Sequence, residues 1–242
     1  MAVYVGGDKC REIYVARNGQ QVLVSSVWVG DKKVFPDEQV PPGFILRVGV
    51  SSGNAYTPLR EWAVSIGKTY QTITKITVPV EVVGPSLYSL FNGCNALTGV
   101  PDMDTSNVTN MGSLFSNCRA LTSVPALNTI KVTNMNSMFY NCWALTSVPA
   151  LNTIKVTNPV SMFDGCSSLE SVTLPGMGTG FTTAQDLDML DTKLGAAAAN
   201  ALMQSLGTVP AAATDSALQL PATAAGANTS LATAKNWEVT IG

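Results

Sequence analysis

The sequence predicts an α/β fold: a short solenoid of 24-residue coils, with a small β module on its N-terminal side and an α/β cap on its C-terminal side. Three observations carry this. Phe91, Phe115, Phe139 and Phe163 recur every 24 residues, in register with Cys94, Cys118, Cys142 and Cys166, with Leu97, Leu121, Leu145 and Leu169, and with Val100, Val124, Val148 and Val172. Between these columns SVPALNTIKVTN occurs unchanged at 123–134 and 147–158, and GVPDMDTSNVTN at 99–110 is a diverged copy. Alternating β-branched and aromatic segments precede the repeat, and a helix-period row of apolar residues follows it.

Within one unit, Met135, Met138 and Phe139 fall at i, i+3 and i+4, which predicts a short helix or helical turn. Gly93, Asn117, Asn141 and Gly165 stand just ahead of the cysteines and are the residues that adopt a left-handed conformation most cheaply. In the following LTSVP segment Leu145 and Val148 point inward, as in a short strand that Pro125 and Pro149 end. One such coil cannot cover its own apolar side, whereas stacked coils bury a continuous column. Stacking in register, about 4.8 Å apart, places the cysteines side by side as a ladder of buried thiols, not as a disulfide framework or a zinc site.

The pattern S-M-F-x-x-C-x-x-L-T-S-V-P…V-T-N-M, at Ser137–Phe139, Cys142, Leu145–Pro149 and Val132–Met135, resembles the BspA-like leucine-rich repeat family of bacterial surface proteins and of some phage structural proteins. That resemblance implies a leucine-rich-repeat-type solenoid over 85–175. Pro159 departs from it by replacing the repeat's methionine, so this turn is expected to be perturbed or to start at the proline.

Residues 1–38 read as the N-terminal β module: VYVG at 3–6, IYVA at 13–16 and VWVG at 27–30 are each followed by a polar turn. These segments resemble N-terminal parts of phage minor tail and tail-fibre proteins, which implies attachment to a virion. Prolines 36, 41 and 42 mark a rigid turn around Gln39–Gly43, opening a β-rich linker domain and N-cap over 39–84, whose strands are FILRVGV, REWAVSI and TITKITVPVEVV. Residues 176–242 form the C-terminal α/β cap. Leu194, Ala198, Leu202 and Leu206 make one helical row that Gly207 stops, and ALQL at 217–220 and WEVTI at 237–241 are strands around a short helix in NTSLATAKN. The tail TSLATAKNWEVTIG resembles the C-terminal ends of phage and surface proteins that carry these repeats.

The 242 residues are 46% hydrophobic and 12% charged, a composition that buries a core. A formal net charge of −2 offers no field for nucleic acid, and no apolar run is long enough for membrane insertion. The opening MAVYVGGDKC lacks the features of a signal peptide, so the expected location is a virion tail assembled in the host cytoplasm. The absence of histidine removes the commonest general base and metal ligand, and no catalytic residue, cofactor or metal is expected. Asp186, Asp188 and Asp191 lack the glycine and distal glutamate of a calcium loop, and Asp191 is better read as the cap of the next helix. Asp102 and Asp104 carry no sign of the separation a glycosidase needs, and Gly176–Gly180 lacks the context of a nucleotide loop.

The binding candidates lie in columns that vary between near-identical repeats. Tyr140 follows the phenylalanine, Arg119 and Trp143 follow the cysteine, and Lys131 and Lys155 share one column. Aromatic and arginine groups are common interface anchors, and paired lysines suit an anionic polymer. The expected function is that of a non-enzymatic bacteriophage tail or tail-tip protein recognising a host surface. A purely structural virion protein, or a bacterial BspA-like surface adhesin, are the alternatives. Expected partners are other virion structural proteins, through the N-terminal module, and a bacterial surface receptor, glycan or protein, with self-association into a homo-oligomer left open.

Overall fold

The computed structural model describes residues 12–17, 20–25, 28–29, 32–33, 45–49, 59–60, 63 and 67–242. Two antiparallel pairs come first: β1 (Glu12–Arg17) with β2 (Gln20–Ser25), in register from Glu12 opposite Ser25 to Arg17 opposite Gln20, and β3 (Trp28–Val29) with β4 (Lys32–Lys33). VYVG at 3–6 and the turn at 39–43 lie outside the described residues.

Between Ser86 and Leu174 the chain runs as stacked coils whose backbones bond to one another at the repeat spacing. Parallel bridges link Ser86 to Asn110, Asn110 to Asn134 and Asn134 to Asn158, and Ser147 to Ser171. The predicted short helix or helical turn is a ribbon of tight turns with two bonding directions, not an α-helix. Met135, Ser137, Phe139 and Asn141 donate their N–H groups to Asn158, Val160, Met162 and Asp164 of the next coil. Met138, Tyr140 and Cys142, which follow Ser137, Phe139 and Asn141, donate back to Met135, Ser137 and Phe139 of their own coil. Every second N–H thus leaves the coil, which an α-helix does not permit. The ribbon needs a left-handed residue at two places per coil. Asn117 and Asn141 supply one, with φ of 59° and 56°, as do Gly93 and Gly165 with 77° and 73°. Ser89, Ser113, Ser137 and Ser161 supply the other, with φ between 51° and 59°.

Asparagine explains why each turn begins with V-T-N. The Asn110 and Asn134 Oδ1 atoms accept the N–H of the residue two further on, at 2.9 and 3.0 Å, fixing the entry to the ribbon. Thr133 and Thr157 each bond the coil before through both backbone N–H and Oγ1, to the carbonyls of Thr109 and Thr133. Inside the stack Phe91, Phe115, Phe139 and Phe163 are buried with neighbouring ring centroids 5.4–5.6 Å apart and planes within 12°. The four cysteines are buried free thiols, and Cys118, Cys142 and Cys166 donate Sγ–H to the carbonyls of Phe91, Phe115 and Phe139 at 3.1 Å. Burial drives their pKa values up, to about 12 at Cys94 and Cys166 and well above the ordinary value at Cys118 and Cys142.

The N-terminal edge of the stack is covered by residues that bond as a preceding coil would. Gln71 and Thr74 carbonyls accept from Ala96 and Thr98, and buried Ile73 and Ile76 occupy the leucine and valine columns. This segment carries a 3-10 turn at Tyr70–Thr72, and its strand is β6 (Val80–Val82), pairing in parallel with β5 (Leu46–Val48). REWAVSI, expected as a strand, differs where it is described: Arg60 and Ala63 are helical, as is Leu59 before them, and Leu59 and Ala63 are buried.

At the other end Pro159 takes its place in the Met111 and Met135 column, buried, and starts its turn normally, with Met162 N–H donating to its carbonyl. Having no N–H, it makes no onward bond of the kind Met111 and Met135 make. Beyond it the spacing changes. β7 (Leu187–Asp188), β8 (Ala217–Leu220) and β9 (Glu238–Ile241) form a parallel sheet in that order. Helix α1 (Ala196–Ser205) buries Ala199, Leu202 and Met203; of the expected row, Leu194, Leu202 and Leu206 are buried, with Leu194 ahead of the helix and Leu206 at its C-cap, and Ala198 is half-buried. Gly195, not Asp191, is its N-cap. Its C-terminal end is closed by Lys235, just after α2 (Ser230–Thr233), whose Nζ donates to the carbonyls of Met203, Gln204 and Leu206 at 3.1, 2.7 and 2.6 Å. Trp237 seals the cap, edge-on to Phe181 and donating Nε1–H to the Gly207 carbonyl at 3.0 Å.

Candidate functional site

The surface columns inherit the spacing of the coils beneath them, so residues 24 apart become neighbours. Arg119 and Trp143 are such a pair, and the Arg119 guanidinium lies over the indole, its Cζ 4.4 Å from the ring centroid. The indole is further set by Nε1–H donating to Asn141 Oδ1 at 3.5 Å, and Asn141 Nδ2 in turn donates to Asn117 Oδ1 at 3.2 Å. Trp143 remains 47% exposed and Tyr140 37% exposed. The sheltered positions of the same turn, Met138, Phe139 and Cys142, are closed to solvent. An arginine held on an aromatic face keeps donors available at its edge, and the pair contributes about 0.5–1 kcal/mol at an exposed site.

The lysine pair belongs elsewhere. Lys131 is twelve residues, half a coil, from both Arg119 and Trp143. Its Nζ donates to Asn107 Oδ1, in the same column of the coil before, at 2.8 Å, and Lys155 is exposed one coil further on. Beside them stand Ile130 and Ile154, 50% and 47% exposed, which the sequence reading passed over. Their signal was available: in T-I-K-V the threonine and valine point inward, leaving isoleucine stranded outside.

The aspartates are held by backbone. Asp186, Asp188 and Asp191 accept from the N–H groups of Ala217, Leu190 and Gly165 at 3.3, 2.8 and 3.0 Å. Asp164 stands one coil on from Tyr140, and burial pushes its carboxyl up, against a Ser161 hydrogen bond and with the help of the Asp188 and Asp191 charges. Asp104 accepts the Ser106 N–H at 2.9 Å, which holds its carboxyl below the usual range. Among the described residues, no group of three or more histidines, cysteines or acids is placed to hold a metal, and no helix is long and apolar enough to cross a membrane.

Residues 85–200 match the model of a family described as Mycoplasma protein of unknown function, DUF285. The match covers the coils and runs on into α1, and it is consistent with a BspA-like repeat protein. No curated protein and no solved structure matches the chain.

Proposed function

We propose that the chain is a non-enzymatic recognition protein, an α/β leucine-rich-repeat-type solenoid that presents Arg119, Tyr140 and Trp143 from a rigid stack at the tail or tail tip of a bacteriophage. The observation that supports it most is the Arg119–Trp143 stack, built in columns that vary while the residues under them repeat. Large amphipathic side chains left outside a well-packed scaffold are what interface anchors are made of. In this reading residues 1–38 join the chain to other virion structural proteins, assembly takes place in the host cytoplasm, and the partner is a bacterial surface receptor.

The phage placement rests on the resemblance of the N-terminal segments. The family match, to proteins of a cellular bacterium, favours a second reading, an adhesin on a bacterial surface.

Antibody against residues 91–172 distinguishes the two, labelling tail tips of particles in one case and cell envelopes in the other. Tyr140→Ala with Trp143→Ala, which removes an anchor commonly worth about 2 kcal/mol or more, should lower adsorption roughly thirtyfold at normal incorporation. Unchanged adsorption reassigns these aromatics to a purely structural particle, and failed incorporation makes them assembly contacts.

A further inference from the structure

The stack is directional, and Trp143 is unevenly covered along it. Arg119 belongs to the coil before, so the indole face that carries the guanidinium looks toward the N-terminal coils. The opposite face therefore looks toward the coil after, where the same column holds Ser167. A serine side chain has two heavy atoms and cannot cover an indole. Trp143 is 47% exposed and Ser167 is exposed, which leaves room beside the ring one coil step away. The phenylalanine ladder measures that step: Phe163 stacks on Phe139 at 5.6 Å between centroids. A six-membered ring placed over Ser167 thus stands to Trp143 as Phe163 stands to Phe139.

The surroundings select among flat ligands. Tyr140 and Asp164 form the neighbouring column, three residues back in their respective coils, and bring a phenol and a carboxylate. Asp188 and Asp191 lie near enough to Asp164 for their charges to act on it. On this side of the indole the charges gathered at Asp164 disfavour an anionic ligand, while the Arg119 cation lies against the other face. A purely apolar ring would leave the phenol of Tyr140, a residue 37% exposed, unused. A pyranose offers one C–H-rich face for the indole and hydroxyls around its rim for the polar groups, and it carries no charge.

We infer that Trp143, Tyr140 and Ser167 form a subsite for an uncharged sugar ring, stacked on the indole face opposite Arg119. This rests on the recognition reading above and narrows its partner from any surface receptor to a neutral glycan. Arg119 acts as a positioning residue, holding the ring from behind.

The test fills the vacancy as well as removing the platform. The full chain is applied to an array of immobilised maltohexaose, cellohexaose, chitohexaose and linear galactan, with hyaluronan and poly(glycerol phosphate) as anionic comparators. Retention is expected on at least one neutral glycan and on neither anion. Trp143→Ala should reduce it tenfold or more. Ser167→Trp should do the same while leaving the melting temperature within a few degrees, because the new ring occupies the sugar's place. Should that variant misfold, Ser167→Arg closes the same face as Arg119 closes the other. Retention on no neutral glycan, retention on the anions alone, or binding indifferent to both Ser167 variants overturns the assignment. Cell binding that depends on Trp143 and survives periodate oxidation of the cells but not protease treatment removes the glycan while keeping recognition. Cell binding that never depended on Trp143 removes recognition itself.

Discussion

Replacing Phe139 tests whether the stacked rings act as a ladder or as four separate core residues. Phe139 is closed to solvent between Phe115 and Phe163, at 5.6 Å from each, whereas among the described residues Phe91 has one ring partner, Phe115, at 5.4 Å. Truncating a buried phenylalanine to alanine costs about 3–5 kcal/mol, and a stacked pair contributes about 0.5–1.5 kcal/mol beyond burial. Phe139→Ala loses two pairs and Phe91→Ala one, so the first should be more costly by about 1 kcal/mol. Leucine replacements keep the variants folded for a double-mutant cycle. Phe115→Leu with Phe139→Leu should couple by about 0.5–1.5 kcal/mol, and Phe91→Leu with Phe163→Leu, three coils apart, should add within about 0.5 kcal/mol. Urea unfolding followed by circular dichroism and by fluorescence measures these, provided the two transitions coincide. Equal costs at Phe91 and Phe139, or coupling that does not decline with separation along the stack, would refute the ladder.

Other perturbations probe other bonds. Since burial raises the four thiol pKa values from 9.0, to about 12 at Cys94 and Cys166, the unfolded chain ionises first. Stability is therefore fully present below about pH 9 and is lost as pH rises toward 12, by roughly 1.4 kcal/mol per pH unit per thiol, a slope that Cys142→Ala should reduce by one thiol's share in alkaline urea titrations. Lys235→Met removes an ammonium bonded to three carbonyls at the end of α1 and should cost about 1.5–3 kcal/mol, with hydrogen exchange in α1 rising first. Ser137→Gly relieves a left-handed serine with φ of 51° and should stabilise by about 0.5–1 kcal/mol, and a loss of stability there would mean the serine side chain matters more than its backbone. Deleting 125–148 joins Val124 to Pro149 and keeps every column, so a soluble, cooperatively unfolding protein is expected, whereas deleting 125–136 shifts each column by half a coil and should not fold.

The coils were legible because packing repeats: a residue that must be Phe, Cys, Leu or Val in one coil must be so in the next, and burial at these positions follows the columns. Backbone geometry was legible only where it demanded a special residue. Asn141 and Gly165 advertised the left-handed position before the cysteines, but Ser113 and Ser137 hold the other one with a residue that has no such signature. The ribbon was legible only as a short helix or helical turn, because Met135, Met138 and Phe139 share a spacing that successive turns also produce. The stack's upstream edge was hidden because Ile73 and Ile76 replace leucine and valine while Tyr70 stands in the cysteine column. At the candidate site, column membership brought Arg119 onto Trp143, whereas the order of the faces along the stack, and hence the vacancy at Ser167, required the geometry.

A stack of like coils has no natural length. In an uncapped stack, the bonds that seat one coil on the next would as readily seat the last coil on the first coil of another molecule, and such open ends drive end-to-end fibre growth. Pro159 breaks that equivalence from within, since the last regular coil opens its turn with a residue that cannot donate to any newcomer. Lengthening the protein by duplication is thus safe only upstream of this proline, and each coil added there moves whatever the surface columns carry outward by one fixed increment. The repeat can serve as a ruler because it also contains its own terminus.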